Sequence, residues 1–335
     1  MAPPIFVFGA PRSGTTWLQR LLGAHPAIAT PQELHLFSGY LAGWPRLWDE
    51  QLPASEDLWR RNRYNGLPAI MTRAEFDAFA RDLVDSVHRR VLAAKPGATI
   101  VLEKDAGYQH VLPLIVRLFP EARLIHVIRD GRDVAASLLR ASAGWGREWA
   151  SRTASHAGWA WRSNVEAGRT GAALTGHYRE VRYEDLGSPA GPQLLHGLLA
   201  FVGAECTAAE AAEIHARFAL VDDEGARPES IVWGGEVRAR IGERPLEPEG
   251  FYGGATPGSW RDGFDAFDRW SFALEAGALL GELGYEDDAS WVQPGAWALL
   301  GRSRRSLTAS VVGLRFALGA GRRALRARPA AWLAR

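Results

Sequence analysis

Short apolar runs alternate with segments of helical periodicity along the first 300 residues of the chain. The runs rich in β-branched and aromatic residues are predicted strands: residues 5–8, 98–102, 124–128 and 177–182. Segments with apolar positions at helical spacing are predicted helices: residues 16–23, 110–119, 131–140, 151–168, 189–202, 208–218 and 268–283. Strands that alternate with helices are typical of a parallel sheet covered by helices. The pattern therefore predicts a single α/β domain over residues 1–300, with a central parallel sheet flanked by helices.

Two regions depart from this alternation. Residues 38–72 are rich in Trp, Pro and Arg and show no clean period, which favours a surface insertion or lid with room for acceptor contacts. Residues 301–335 carry an apolar stripe at helical spacing beside arginines and predict a basic amphipathic C-terminal helix. Such a helix fits two alternatives, peripheral contact with an anionic membrane or packing of its stripe on the body.

Charge and cysteine content narrow the class of protein. Nine of the 39 Lys and Arg residues are arginines of the tail, so residues 1–300 carry 30 basic against 38 acidic residues. An acidic body argues against nucleic acid as a partner. Cys206 is the single cysteine, which excludes an intramolecular disulfide, and the N-terminus shows neither a signal peptide nor a spanning segment. We therefore expect a cytoplasmic protein; the sequence leaves its oligomeric state open.

The strongest chemical signal is the segment from Gly9 to Thr16, between a predicted strand and a predicted helix. Backbone N–H groups and a helix N-terminus make an anion cradle at such a junction. The spacing is that of a Walker A loop, but Thr15 occupies the lysine position and Arg12 supplies the charge. A P-loop-like fold that holds one 5′-phosphate fits this loop better than one that holds a triphosphate.

The segment from Pro11 to Leu18 resembles the 5′-phosphosulfate loop of the sulfotransferases that use 3′-phosphoadenosine 5′-phosphosulfate (PAPS). Residues 123–137 are similar to the family's 3′-phosphate segment, in which an arginine ends a strand and a serine follows eight residues later. The resemblance implies a set of cofactor-binding residues: Pro11, Arg12, Ser13, Gly14, Thr15, Thr16, Trp17, Arg129 and Ser137.

Weaker matches extend the resemblance toward the carbohydrate-sulfotransferase branch and some bacterial members. Tyr183 begins a block similar to one whose tyrosine lines the adenine site, and Arg261 lies in a Gly-x-Trp-Arg form that replaces the family's Arg-Lys-Gly segment. Lys104 matches a lysine that points at the reacting centre, although Asp105-Ala106 replaces Thr-Pro after it. Glu33 matches the family's general base, two residues before His35.

The resemblance implies in-line transfer of a sulfuryl group from PAPS to a hydroxyl or amine of a small-molecule, saccharide or lipid acceptor. Glu33 would remove the proton, with His35 as the alternative base, and Arg12 and Lys104 would stabilise charge on the bridging oxygen. No metal is expected. Two other classes stay open: a P-loop kinase with a degenerate loop, and a non-catalytic nucleotide-binding scaffold at a membrane.

Overall fold

The computed structural model describes residues 1–50, 66–218, 231–232, 251, 256–287 and 290–292. Its strands are β1 Ile5–Phe8, β2 Ile28–Pro31, β3 Ile100–Lys104, β4 Arg123–Ile128, β5 Tyr178–Arg182 and β6 Ile231–Val232. They form one sheet in the order β5–β4–β1–β3–β2–β6, and every neighbouring pair is parallel. The predicted α/β fold with a central parallel sheet is confirmed. The predicted tail helix of residues 301–335 lies outside the described residues.

Helices flank the sheet and connect its strands. The described helices are α1 Thr15–Gly23, α2 Arg73–Ala93, α3 Leu112–Leu118, α4 Gly131–Ala143, α5 Ala154–Arg169, α6 Gly171–Leu174, α7 Tyr183–Leu186, α8 Gly191–Phe201, α9 Ala208–Arg217, α10 Trp260–Gly263 and α11 Ala266–Glu282. Shorter turns occur at Leu36–Tyr40, Leu67–Ala69 and Tyr108–His110, and residues 44–50 are also helical.

The central strand β1 is buried along its whole length, as expected of a parallel strand covered on both faces. Side chains alternate along a strand, so Ile5 and Val7 enter one apolar core with α1 and α8. Phe6 and Phe8 enter the other core, which the side chains of α2 and α3 complete. A third cluster forms where α4, α5 and α11 pack together. The sheet is therefore the middle layer of three.

The sequence pattern missed α2 and β2. The buried positions of α2 recur every three or four residues, but they include Ala80 and His88 as well as strongly apolar side chains, which weakens the periodic signal. Strand β2 has four residues and ends in Pro31, which cannot donate a hydrogen bond. Its place in the sheet comes from pairing with β3 and β6. Short strands of this kind are defined by their neighbours more than by their own composition.

The predicted lid, residues 38–72, is described in part, because residues 51–65 lie outside the described residues. Leu41 and Trp48 are buried rather than exposed. Trp44 stacks on Phe76 of α2 with ring centroids 4.3 Å apart, and Trp48 lies 5.1 Å from the same ring. Residues 41–48 are thus anchored to the body through aromatic packing. A lid function for the segment stays a prediction.

A histidine is buried in the middle of the sheet. His126, on β4, stacks on Phe8 at 5.2 Å, and its Nδ1 lies 2.8 Å from the hydroxyl of Tyr178. A methyl group added to Gly168 would lie 2.4 Å from the imidazole, so α5 closes over the ring. Burial, together with the charge of Arg169, lowers the pKa of His126 to about 3. The ring is therefore neutral in the folded protein near pH 7.

This burial predicts a pH dependence of stability. The folded-state pKa of about 3 lies below the unfolded value of about 6.5, so the unfolded chain binds one more proton in that window. The free energy of unfolding should therefore fall, by up to about 1.4 kcal/mol per pH unit, as the pH drops below about 6.5. In His126→Gln this contribution should vanish, which urea unfolding at several pH values measures. Tyr178→Phe keeps the imidazole and should keep the slope; an unchanged slope in His126→Gln would contradict the assignment.

Candidate active site

The candidate residues lie where parallel strands end. Arg12 is in the loop after β1, Glu33 follows β2, Lys104 is the last residue of β3, Arg129 directly follows β4 and Tyr183 directly follows β5. Parallel strands present all their carboxyl ends at one edge of the sheet, and ligands of open α/β folds bind there. Strand β1 lies between β3 and β4, so its loop is at the centre of this edge. The fold brings residues far apart in sequence to one site.

The loop after β1 is shaped by close contacts. Gly9 lies so near β4 that an added Cβ would be 2.3 Å from the carbonyl oxygen of Val127. Gly14 has φ 91°, and a Cβ there would lie 2.2 Å from the ring of Tyr183. Arg12 also adopts a positive φ, 75°, which L-residues rarely do. Helix α1 starts at Thr15, so the loop leads into a helix N-terminus as predicted.

Arg12 connects the loop to the predicted 3′-phosphate segment. Its Nε donates to Oγ of Ser137 at 3.0 Å, and its guanidinium also donates to the carbonyl oxygen of Phe251. The guanidinium lies over two aromatic rings, 4.3 Å from the centroid of Phe251 and 5.2 Å from that of Trp145. The structure thus joins two residues that the sequence placed in separate motifs. The sequence analysis also gave Arg12 a role together with Lys104, the stabilisation of charge on the bridging oxygen. That role stays a prediction.

Arg129 is buried between the loop and β5. Its Nη1 donates to the carbonyl oxygen of Arg12 at 3.3 Å, and its guanidinium lies 4.3 Å from the ring centroid of Tyr183. Trp161 of α5 fixes the backbone, because its Nε1 donates to the carbonyl oxygen of Arg129 at 3.0 Å. Burial raises the pKa of Tyr183 to about 12, although Arg129 acts in the opposite direction. The ring of Tyr183 thus contacts both Gly14 of the loop and the guanidinium of Arg129.

Sequence reasoning missed Arg140, which lies one helical turn after Ser137 on α4. Partial desolvation lowers the pKa of Arg140, the positive charge of Arg129 lowers it further, and Asp133 offsets part of this effect. Arg140 therefore adds positive charge near Arg129, on the helix that carries Ser137. The sequence could have indicated Arg140, because residues three positions apart on a helix, such as Ser137 and Arg140, lie on the same face.

Asp133 is a second residue that the sequence did not single out. Its buried carboxylate accepts from the backbone N–H groups of Gly258 and Trp260, at 2.7 and 2.9 Å, and from the hydroxyl of Ser259 at 3.1 Å. These bonds attach the start of α10 to α4. The predicted cofactor segment around Arg261 is thereby held on the site side of α4.

Two predicted cofactor residues, Trp17 and Arg261, contact other aromatic and backbone groups. Trp17 is buried, donates from Nε1 to the carbonyl oxygen of Phe218 at 2.7 Å, and packs edge-on against Tyr183. Arg261 is exposed and lies 4.8 Å from the ring centroid of Trp260. Within the described part of the chain, no contact joins Arg261 to Arg12, Arg129 or Ser137. Cofactor contacts of Trp17 and Arg261 stay predictions.

The predicted catalytic residues meet at the ends of β2 and β3. The Lys104 ammonium donates to Oε1 of Glu33, and Lys104 is 5% exposed whereas the Glu33 side chain is 31% exposed. The structure therefore brings together the two residues that the sequence named as base and charge stabiliser.

His35 joins the same cluster through Asp105, whose role the sequence did not reveal. The Nδ1 atom of His35 lies 2.9 Å from Oδ2 of Asp105, and Nε2 lies 3.8 Å from Oε2 of Glu33. Ser38 donates its hydroxyl to Oδ2 of Asp105 at 2.5 Å, and the N–H of Gly107 donates to Oδ1 at 2.6 Å. Asp105 stands where the family pattern has threonine, so motif comparison gave no role for it.

The neighbouring carboxylate, Glu103, points to the opposite face of β3. It lies 2.5 Å from Nε2 of His88 and accepts from the Tyr108 hydroxyl at 2.5 Å, and all three residues are buried. Burial and the charge of Glu103 raise the pKa of Tyr108 well above its usual value. The Glu103 cluster anchors residues 105–108 to the strand and lies outside the site.

The described residues contain neither a metal cluster nor a helix that could span a membrane. Among these residues, no set of three or more His, Cys, Asp and Glu is arranged to hold a metal ion. No described helix combines the length and the apolar character that a membrane crossing requires. The expectation of chemistry without a metal stays a prediction.

Comparison with known proteins identifies the family. Residues 3–207 match the family model described as the sulfotransferase family. This match covers more than half of the chain, and the protein belongs to the sulfotransferase family.

Individual relatives are distant. Protein-tyrosine sulfotransferase 1 of Mus musculus is 29% identical over 140 residues, which cover 41% of this chain and 34% of the relative. The nodulation protein NoeE of Sinorhizobium fredii is 33% identical over 133 residues, which cover 40% of this chain and 30% of the relative. The matched segment thus spans about a third of the length of these curated relatives.

Among solved structures, mouse sulfotransferase SULT7A1 complexed with PAP aligns with a TM-score of 0.47 and 13% identity, covering 84% of this chain and 83% of that one. At this TM-score and identity, the likeness supports no inference about what this chain binds.

Two glycines with the same backbone conformation separate the effect of site packing from that of backbone strain. Gly14 and Gly97 both have φ near 90°, but a Cβ at Gly97 would meet no atom within 4 Å. Gly97→Ala should cost about 1–2 kcal/mol from its left-handed backbone alone. Gly14→Ala should cost about 1–3 kcal/mol more, because its methyl group overlaps the Tyr183 ring. Chemical denaturation of both variants measures the difference; equal losses would show that Tyr183 yields to the methyl group.

Proposed function

We propose that this sulfotransferase transfers a sulfuryl group from PAPS to an acceptor hydroxyl or amine by in-line displacement. The observation that carries the proposal is the convergence of Arg12, Arg129 and Ser137 beside the loop after β1. Guanidinium groups and a hydroxyl form a suitable donor set for a phosphate. A second phosphate site next to a 5′-phosphate loop fits adenosine 3′,5′-bisphosphate better than ATP, which lacks a 3′-phosphate.

The loop itself fits a 5′-phosphate. Ser13 Oγ is buried and has no hydrogen-bond partner among the described residues, so it is available to a ligand. Helix α1 begins directly after the loop, and the backbone dipoles at its N-terminus favour an anion. Thr15 replaces the lysine that NTPases use for β- and γ-phosphates. The loop, with Arg12, would therefore hold the 5′-phosphate, and Arg129 and Ser137 would hold the 3′-phosphate.

Bound PAPS would supply the sulfuryl group and a good leaving group. Glu33 would accept the proton of the acceptor, since its carboxylate is partly exposed and lies next to Lys104. Lys104 would stabilise negative charge that develops at the carboxyl end of β3, and its burial strengthens this effect. The chain's own contribution is thus electrostatic stabilisation plus one positioned base.

The acceptor is proposed only by class. The curated relatives are named for protein tyrosine and for nodulation, and we propose a small-molecule, saccharide or lipid acceptor for this chain. If residues 301–335 contact an anionic membrane, a lipid-linked acceptor becomes the first choice to test.

Two experiments test the function. Thermal unfolding with PAPS, adenosine 3′,5′-bisphosphate, ATP and GTP should show stabilisation by the first two ligands, because a ligand of the folded state stabilises by mass action. Stabilisation by ATP in the presence of Mg²⁺, without stabilisation by PAPS or adenosine 3′,5′-bisphosphate, would favour the P-loop kinase. Transfer of radiolabelled sulfuryl from PAPS across an acceptor library then identifies the acceptor. Binding without transfer to any acceptor or to water would favour the non-catalytic scaffold.

Loss of Arg129 should weaken binding of the 3′-phosphate selectively. A charge-assisted contact is worth about 1.5–3 kcal/mol, so Arg129→Ala should lower the affinity for adenosine 3′,5′-bisphosphate by at least about tenfold. The affinity for adenosine 5′-monophosphate should change little. Ser137→Ala should show a smaller loss of the same kind, and the exposed Arg90→Ala should show none. Calorimetry measures all of these; equal losses for both nucleotides would contradict the assignment of Arg129.

Removal of the base should affect turnover and leave binding intact. A positioned base contributes about 10²–10⁴-fold, so Glu33→Gln should lower kcat by that order while the affinity for adenosine 3′,5′-bisphosphate stays within about twofold. His35→Asn should lower kcat less, and the exposed helix-capping variant Glu75→Gln should leave it unchanged. Should His35→Asn abolish turnover while Glu33→Gln keeps it, the roles of the two residues are reversed.

A further inference from the structure

We propose that Asp105 is a positioning residue that holds His35 in one tautomer, and that His35 relays the proton from Glu33 to solvent. The inference deepens the proposed function and rests on it for the role of Glu33. It assigns Asp105, which departs from the family pattern, and separates the roles of two residues that the sequence left as alternatives.

The hydrogen bonds around Asp105 fix the tautomer of His35. An ionised carboxylate only accepts hydrogen bonds, so the His35 nitrogen 2.9 Å from Oδ2 must be the one that carries a proton. The hydroxyl of Ser38 and the N–H of Gly107 donate to the same carboxylate and hold it in place. Asp105 itself is buried, so water does not compete for these bonds. In the neutral ring, Nδ1 is therefore protonated and Nε2 keeps its lone pair.

The nitrogen with the lone pair is the His35 ring atom nearest to Glu33. The Nε2 atom lies 3.8 Å from Oε2 of Glu33, while the other carboxylate oxygen, Oε1, is paired with Lys104. The two oxygens of Glu33 thus have different neighbours, a cation and a proton acceptor. The His35 side chain is 57% exposed, so a proton that reaches the ring can pass to water.

The backbone at His35 supports a functional placement. His35 has φ 51°, in the left-handed region, and a π-helical turn begins at the next residue. The N–H groups of Gly39 and Tyr40 both donate to the carbonyl oxygen of His35, at 2.7 and 3.2 Å. Backbone strain and π-turns of this kind occur preferentially at functional sites. The ring that this backbone carries lies between Asp105 and Glu33.

Each proton and each bond in the proposed cycle is accounted for. The acceptor O–H bond breaks and its proton goes to Glu33, as the acceptor oxygen bonds to sulfur and the bridging S–O bond breaks with its electron pair on the departing 5′-phosphate. Glu33 then gives the proton to Nε2, and the imidazolium is stabilised by Asp105 until Nε2 releases a proton to water. Glu33 is again ionised for the next cycle.

The first test reads the tautomer directly. In protein labelled with ¹⁵N-histidine at about pH 8.5, two units above the usual histidine pKa, NMR shifts of the ring nitrogens should show a protonated Nδ1 and a bare Nε2 for His35. His35→Asn identifies the signal by its disappearance, and asparagine tolerates the left-handed backbone at this position. A protonated Nε2 in the wild-type protein overturns the proposal.

Asp105→Asn should reverse the tautomer. The N–H of Gly107 keeps the asparagine oxygen on its own side, so the amide NH₂ faces His35 and donates to Nδ1. The ring must then carry its proton on Nε2, which can no longer accept one. Ser38→Ala is the matched control, because it removes a bond to Asp105 but keeps the carboxylate next to His35. Its tautomer should be that of the wild type.

The second test measures turnover with water as the acceptor, by sulfate release from radiolabelled PAPS. Asp105→Asn should lower kcat by about tenfold or more and leave the affinity for adenosine 3′,5′-bisphosphate within about twofold. The double variant Asp105→Asn/His35→Asn should be no slower than His35→Asn alone, because Asp105 acts through His35. Additive losses, or an unchanged kcat in Asp105→Asn, overturn the proposal.

The two tests separate this inference from the proposed function. The predicted tautomer in a protein that neither binds nor cleaves PAPS would leave the positioning role of Asp105 standing and reject the proposed function and the relay that rests on it. Normal PAPS turnover with the opposite tautomer would reject the positioning role of Asp105 and leave the proposed function standing.

Discussion

Parallel pairing of β1 with β3 and β4 is the constraint on which the site depends. Val7 of β1 is paired with Lys104 on one side and with Ile125 on the other, so the three strands run in the same direction and end at the same edge. Each strand then delivers one polar side chain to that edge. An antiparallel neighbour at any of these positions would carry its side chain to the far end of the sheet. The chemistry of the site is therefore a consequence of strand direction before it is a property of any residue.

Close packing couples the parts of the site. The ring of Tyr183 lies against Gly14 on one side and under the guanidinium of Arg129 on the other, so the loop after β1 and the residues after β4 and β5 share one contact surface. Alternation along β3 separates two adjacent charged residues in the same way. Glu103 is buried with His88 on one face, whereas Lys104 faces Glu33 on the other. One face carries a buried structural cluster, and the other carries the two residues with predicted catalytic roles.

The fold class and most of the sheet followed from the sequence, because long periodic segments carry their own signal. The predicted strand at residues 98–102 lies at Ile100–Lys104 in the structure, and this shift makes Lys104 a strand residue rather than a loop residue. Helix α2 and strand β2 were missed. The first has a small and a polar residue among its buried positions, and the second has four residues, so the local pattern of each is weak.

The sequence by itself predicted the position of the loop after β1 and of the arginine after β4, and it identified the family to which the chain belongs. Each of these depends on residues that lie close together in the chain. Only the tertiary structure decided which motifs meet. Arg12 reaches Ser137 across 125 positions of sequence, and His35 reaches Asp105 across 70. Such contacts depend on strand order and register, which local periodicity does not encode. Asp105 shows this most clearly, since as a sequence position it was a departure from a motif and in the fold it is the hydrogen-bond partner of His35.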